Sequence, residues 1–221
     1  MSWFEDLGDG LLVEVSDDHT FGEDALLLAA FSKPRRGEHV CELCAGCGVI
    51  SLLWCRDASP ENVTAFEIQK QAAEMARRSA VAAGYGERLN VLAADLRLWQ
   101  DYLPPASQSL VAVNPPYFRE GSGKISADSA AVVSRHEGVG CTLSDVAEAS
   151  AGLLKEGGRL DICHRPERLC DVMCALRAVR LEPKRIRFII GVNKSEPWLF
   201  LCEAVKGAAP GLRIELQEGS V

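Results

Sequence analysis

Glu38-His-Val-Cys-Glu42-Leu-Cys44-Ala-Gly46-Cys-Gly48 decides the fold. Glu38 to Leu43 reads as a buried strand. The glycines that follow read as a tight turn, and Val49 to Arg56 as a helix. Strand, glycine turn and helix in that order form a nucleotide-type turn, because glycine lets the backbone approach a ligand closely. The spacing is not the Gly-x-Gly-x-x-Gly of a dinucleotide turn.

Two further strands lie downstream, and each ends in an acidic residue. Asn62 to Glu67 is one, with Glu67 at the carboxyl end, 19 residues after Gly48. Gln69 to Ala83 is a helix stopped by Gly84. Leu89 to Ala94 is the next strand, closed by Asp95. Glu42, Glu67 and Asp95 thus end three successive strands, which puts three carboxylates around one crevice at the carboxyl edge of a parallel sheet. The competing reading is that they cap the helices that follow.

A fourth strand, Ser109 to Val113, runs into Asn114-Pro115-Pro116-Tyr117. That set presents an amide, a backbone carbonyl and an aromatic face at one spot. The prolines have no N–H and a fixed φ, so the carbonyls there are rigid. Taken alone, it could equally be a Pro-Pro turn. Phe118 to Gly140 has no clear period and is expected to be a long mobile loop.

The remaining elements complete the pattern. Glu23 to Ser32 is a helix ended by Lys33-Pro34. Ser144 to Lys155 is a helix closed by Glu156-Gly157-Gly158, Arg159 to Cys163 a strand, and Pro166 to Val179 a helix with proline at its first position. Arg185 to Ile190 and Trp198 to Ala204 read as an antiparallel hairpin at the sheet edge. The tail after Gly207 is a peripheral strand or disordered. Alternating strands and helices predict an α/β fold with a mostly parallel sheet covered on both faces.

Bulk properties narrow the class. The chain has 221 residues, 48% hydrophobic and 25% charged, as expected for one globular α/β domain. No apolar stretch approaches the roughly 20 residues of a membrane helix. The acidic start, Met1-Ser-Trp-Phe-Glu-Asp6, does not read as a secretory signal. Nine cysteines without such a signal favour reduced thiols in the cytoplasm. A net charge of −7 means that any nucleic-acid contact rests on local patches. Arg35-Arg36 and Arg77-Arg78 read as solvated ends; Lys184-Arg185-Ile-Arg187 is the third cluster. Cys41, Cys44 and Cys47 have the spacing of three metal ligands. Their places inside a strand and a glycine turn read as structural thiols, so no metal is expected.

The glycine loop, the acid-ended strands and Asn-Pro-Pro-Tyr together resemble the class I S-adenosylmethionine-dependent methyltransferases that modify exocyclic amino groups. More narrowly, five segments are similar to the bacterial tRNA(Val) (adenine-N6)-methyltransferase family. They are Phe21 to Phe31, Ser134-Arg-His136-Glu, Cys141-Thr-Leu, Glu182 to Phe188 and Glu203 to Leu212, within a similarity spanning roughly residues 10 to 215. The resemblance implies a single Rossmann-like class I methyltransferase domain over 1–221. It implies a mostly parallel seven-stranded sheet, an antiparallel edge hairpin and helices on both faces. Residues 1–37 would cap the cofactor site, and 118–140 would be the mobile substrate loop.

It also implies residue roles. S-adenosylmethionine would be held by Phe21, Asp24, Glu42, Cys44, Gly46, Gly48, Glu67, Ile68, Asp95, Leu96 and Asn114, with Glu67 on the ribose and Asp95 on the adenine amino group. Asn114, Pro115, Pro116 and Tyr117 would form the catalytic motif. RNA would be held by Arg119, Lys124, Arg135, Lys184, Arg185 and Arg187. His136 reads as a surface histidine that could assist. The family motif is usually Asp-Leu-Gly-x-Gly-x-Gly; here Glu42 replaces Asp and Cys44 the first Gly, so Cys44 is expected to avoid positive φ. The implied reaction is N6-methylation of an adenine in a tRNA anticodon loop next to the anticodon. Two alternatives stay open: the same chemistry on ribosomal RNA guanine N2 or a protein glutamine amide, and a non-catalytic cofactor-binding protein. Oligomeric state is open, with a monomer favoured.

Overall fold

The computed structural model describes residues 1–116 and 141–218. An N-terminal hairpin, β1 (Ser2–Asp6) with β2 (Leu12–Ser16), precedes α1 (Glu23–Ser32), β3 (His39–Leu43), α2 (Val49–Asp57) and β4 (Asn62–Glu67). Then follow α3 (Lys70–Ala82), β5 (Leu89–Ala93), a 3-10 turn (Leu96–Asp101) and β6 (Gln108–Val113). After 117–140 come α4 (Leu143–Leu153), β7 (Leu154–His164), a 3-10 turn (Pro166–Arg168), α5 (Leu169–Ala178), β8 (Leu181–Ile190), β9 (Pro197–Lys206) and β10 (Arg213–Glu218).

The main sheet has the order β10-β8-β9-β7-β6-β3-β4-β5. Strands β5, β4, β3, β6 and β7 are parallel, and β9 is antiparallel to β7 and β8. Among the described residues the sheet carries eight strands, one more than the expected seven. The tail supplies the extra one: β10 pairs parallel with β8 and lies outside the hairpin. β7 also starts earlier than its glycines suggested, because Leu154 pairs with Gln108 before a register shift that absorbs Gly157 at φ 75°. The expected helix end at Lys155 therefore moves back to Leu153.

The central strands are buried on both faces. Val40, Leu43, Val63, Ala65, Leu110, Val111, Ala112 and Val113 are all fully buried, which is why they read as continuous apolar runs. Helices α1, α2 and α3 and the hairpin pack on one face, and α4, α5 and Trp99 on the other. The hairpin is fastened to α3. Ser79 Oγ accepts the Glu14 N–H at 2.8 Å, and Arg78 donates to both oxygens of the Glu14 carboxylate at 2.7 and 2.9 Å. α4 starts with a reciprocal cap between Thr142 and Asp145.

One buried carboxyl gives the fold a pH signature. Asp161 of β7 is fully buried between Glu203 of β9, Arg159 of its own strand, Arg185 of β8 and Ser32 of α1. Burial pushes its pKa well above the usual value, and the neighbouring Glu203 pushes it further. The folded chain then keeps a proton that the unfolded chain releases. Stability is lost as pH rises from the ordinary aspartate range toward the folded value. Asp161→Asn removes the ionisation. Chemical denaturation between pH 5 and pH 8 should show a shallower fall in stability for the variant; an unchanged slope would assign the pH response elsewhere.

Candidate active site

Strands β3, β4 and β5 run in one direction across the sheet, and β6 then returns to the other side of β3. That reversal opens a crevice at the carboxyl edge between β3 and β6. Pairing registers place the residues around it. Leu43 lies beside Phe66 on one side and Val113 on the other, and Val113 beside Ile162. The residues one step further on therefore form a row: Glu67, Cys44, Asn114, Cys163.

The glycine loop is built as the sequence suggests, with one exception. Gly46 has φ 54° and Gly48 φ 78°. A β-carbon on Gly48 would stand 2.9 Å from the Ala76 β-carbon, so this glycine lets α2 approach α3. Cys44 does not avoid the left-handed region: its φ is 58°. The loop keeps the path that glycine would give it, and the cysteine bears the strain.

The three strand-end carboxylates do different things. Glu67 is buried; its Oε2 accepts the Gly46 N–H at 2.7 Å and its Oε1 the Gln69 N–H at 2.8 Å. Burial raises its pKa, and backbone donors partly offset that. Each oxygen keeps a lone pair for one further donor, and Ile68 beside it is exposed. Glu42 is 1% exposed and turned into the protein, where it accepts from the Ser51 N–H at 2.9 Å and from the Ser51 hydroxyl. Burial moves its pKa up to about 8, so at neutral pH it is largely protonated. Glu42 thereby clamps β3 to the first turn of α2. Asp95 caps the 3-10 turn through the Arg97 N–H at 2.9 Å and pairs with the Arg97 guanidinium, which holds its pKa down. Its carboxylate is thus both a cap and an ion-pair partner; Leu96 after it is buried.

Asn114 is half-buried, Pro115 buried and Pro116 exposed. The Cys163 thiol donates to Asn114 Oδ1 at 3.1 Å. This bond helps to orient the amide. Tyr117, Arg119, Lys124, Arg135 and His136 lie outside the described residues. On the N-terminal side, the Lys33 carbonyl and Glu38 together hold Arg159, so α1 ends near the amino edge of β3. Its start follows Phe21 and includes Asp24. Asp24 Oδ1 accepts the Ala25 N–H at 2.9 Å there.

The basic cluster on β8 is not an open patch. Arg185 pairs with Glu203 at 3.0 Å and lies 3.8 Å above the Phe31 ring, while Arg187 pairs with Glu215 at 2.8 Å. Lys184 points to the other face and donates to the Ala209 carbonyl at 2.9 Å. Sequence clustering could not reveal that β9 and β10 bring a carboxylate to each arginine. A different arginine stands at the carboxyl end of β7. Arg165 follows β7 directly after Cys163-His164, is exposed, and lies 5.7 Å from the Trp198 ring at the start of β9. Its guanidinium also donates to the Trp198 carbonyl at 3.2 Å. Its only sequence signal was its place just after a parallel strand. His164 is buried, accepts the Arg165 N–H at 2.8 Å, and is held neutral by burial at a pKa of about 4.

The three spaced cysteines separate. Cys41 and Cys47 are buried, and Cys44 faces Cys141 with the sulfurs 3.9 Å apart. Among the described residues, no group of three or more His, Cys, Asp or Glu is placed to hold a metal ion. Nor is any helix among them long and apolar enough to cross a membrane.

The family model described as Methyltransferase small domain matches residues 20–168. A Klebsiella pneumoniae tRNA1(Val) (adenine(37)-N6)-methyltransferase is 34% identical over 103 residues, 45% of this chain and 41% of that protein. Its Aeromonas hydrophila counterpart is 27% identical over 154 residues, 69% of this chain and 62% of that protein. The matched stretch spans less than two thirds of either relative's length. The crystal structure of a predicted O-methyltransferase, Atu636 from Agrobacterium tumefaciens, shares the fold with a TM-score of 0.68. It is 24% identical, with 90% of this chain and 86% of that one covered.

Proposed function

The chain belongs to the methyltransferase small domain family, and from that membership we propose that it methylates the N6 amino group of an adenine in RNA. The substrate we assign is a tRNA anticodon loop, at the adenine next to the anticodon, as the names of the relatives suggest. The observation that carries the proposal is the position of Asn114. It ends β6 at the strand reversal, its oxygen is oriented by Cys163 at 3.1 Å, and it stands one strand away from the glycine loop.

The crevice fits S-adenosylmethionine, which when bound supplies an electrophilic methyl group on a sulfonium. Glu67, anchored by Gly46 and Gln69, has a lone pair on each oxygen for the ribose hydroxyls. Ile68 offers an apolar surface to the adenine ring, and the start of α1, at Phe21 and Asp24, closes the crevice from the N-terminal side. The acceptor amine is a poor nucleophile because its lone pair is delocalised into the ring. Asn114 Oδ1 and the Pro115 carbonyl accept from its two N–H bonds and draw it toward a pyramidal shape. Tyr117, by its place in the motif, stacks on the base. Alignment then does most of the work. After transfer the amine releases a proton to water, so no strong base is required.

RNA reaches this edge past Arg165 and Trp198, not along β8. A guanidinium beside an aromatic ring next to the acceptor site suits a phosphate or an unstacked base. Arg165→Ala should raise the RNA Michaelis constant several-fold and leave the affinity for S-adenosylhomocysteine unchanged. Equal constants for the two proteins would remove Arg165 from the RNA path. A tRNA substrate and nine free cysteines together fit a cytoplasmic enzyme. The test of the function is transfer of labelled methyl to tRNA lacking the modification, followed by nucleoside analysis. N6-methyladenosine is the expected product; label in guanine or in a glutamine-containing peptide would replace the assignment.

A further inference from the structure

Cys44 and Cys141 are 97 residues apart in sequence, yet their sulfurs stand 3.9 Å from each other. Cys44 is the first residue of the glycine loop, and Cys141 lies just before the Thr142 cap of α4. Both side chains are partly exposed, unlike Cys41, Cys47, Cys55, Cys163 and Cys202, which are buried. Cys44 also holds a left-handed backbone, φ 58°, where a side chain is disfavoured. A strained cysteine in a ligand loop, facing a second thiol, calls for a role that packing does not provide.

We propose that Cys44 and Cys141 form a reversible disulfide whose closure loosens cofactor binding. The proposal rests on the S-adenosylmethionine reading of this crevice. The oxidant is a low-molecular-weight disulfide, RS–SR. The Cys141 thiolate attacks one sulfur of it, forming Cys141–S–S–R and releasing RS⁻. The Cys44 thiol gives its proton to solvent and attacks the Cys141 sulfur, forming Cys44–S–S–Cys141 and releasing a second RS⁻. Two protein thiols are oxidised, one small disulfide is reduced to two thiols, and the two protons end on the leaving thiolates. Contact with Cys141, burial and the nearby Glu67 and Glu42 carboxyl groups push the Cys44 thiol up, whereas the same contact pulls Cys141 down, which makes Cys141 the attacking residue.

Closure must bring the sulfurs from 3.9 Å to about 2.0 Å, pulling the start of the loop toward α4. Gly46, two residues on, donates to Glu67 at 2.7 Å, so the pull reaches the carboxylate assigned to the ribose. The coupling is reciprocal: ligand in the crevice must protect the thiols by the factor by which the disulfide weakens the ligand.

The test uses the whole chain, equilibrated in mixtures of reduced and oxidised glutathione, trapped by alkylation and read by peptide mass spectrometry. Calorimetry with S-adenosylhomocysteine follows on each form. The expected result is a Cys44–Cys141 cross-link, reversed by dithiothreitol, with at least tenfold weaker binding in the oxidised form. Cys141→Ser and Cys44→Ser should each abolish the cross-link and make affinity independent of the glutathione ratio. Adding S-adenosylhomocysteine should shift the oxidation midpoint toward more oxidising mixtures. Glutathione found only on exposed Cys170 and Cys174, or a cross-link that leaves affinity unchanged, overturns the proposal. If the reduced protein binds no S-adenosylhomocysteine, the cofactor reading fails and the switch falls with it, whether or not the cross-link forms.

Discussion

Asn114→Ala should lower kcat on its RNA at least 100-fold, about 2.7 kcal/mol of barrier, with cofactor affinity close to that of the unaltered protein. The size follows from what the residue does. In the proposed mechanism its Oδ1 accepts from the reacting amine, a bond that strengthens only as the nitrogen becomes pyramidal. An interaction made mainly in the transition state shows up in kcat and not in ground-state binding. Truncation also leaves the buried Cys163 thiol without the acceptor it has at 3.1 Å. The unfolding temperature should therefore fall slightly. Calorimetry with S-adenosylhomocysteine separates the two effects. A variant that binds ligand normally and turns over at full rate would show that Asn114 is a turn residue and nothing more.

Much of this site could be read from the sequence because its determinants are local. Glu38 to Gly48 announces a strand and a turn through apolar residues followed by glycines, and those residues fold that way for their own backbone reasons. Asn114-Pro-Pro likewise follows from the end of an apolar strand. What was not legible depends on partners distant in the chain. Arg185 and Arg187 look like a basic patch until β9 and β10 bring Glu203 and Glu215 beside them. The hold of Glu42 on Ser51 likewise depends on how α2 packs against β3. Cys44 was expected to avoid a left-handed backbone, but the chain path around the loop is set by Gly46, Gly48 and the pairing of β3 with β4, and the side chain follows. The tail stayed open between a peripheral strand and disorder because β10 is held through its pairing with β8. Its own residues Ile214 and Leu216 stay exposed and give no core signal.

Glu67→Gln should weaken S-adenosylhomocysteine binding by about 2 kcal/mol, roughly 30-fold, because in the proposed site charge-assisted bonds to two hydroxyls become ordinary ones or are lost. Glutamine is the informative replacement. It has the same size, and its oxygen can still accept from Gly46 or Gln69, whereas alanine would release both and disturb the loop. A pH titration adds a second, independent reading. Burial raises the Glu67 pKa above the ordinary carboxylate value. The proposed ribose contact needs the carboxylate form, so affinity in the unaltered protein should be full at neutral pH. It should fall as pH drops through the raised pKa, starting above the usual glutamate range. The variant has no proton to gain there, and its weaker affinity should be flat over the same interval. Calorimetry from pH 7.5 down to pH 5 tests both statements. A variant that keeps full affinity would move the ribose contact elsewhere. One that loses affinity but keeps the acid fall would assign the titration to another group, with Asp95 excluded because Arg97 holds its pKa below the ordinary range.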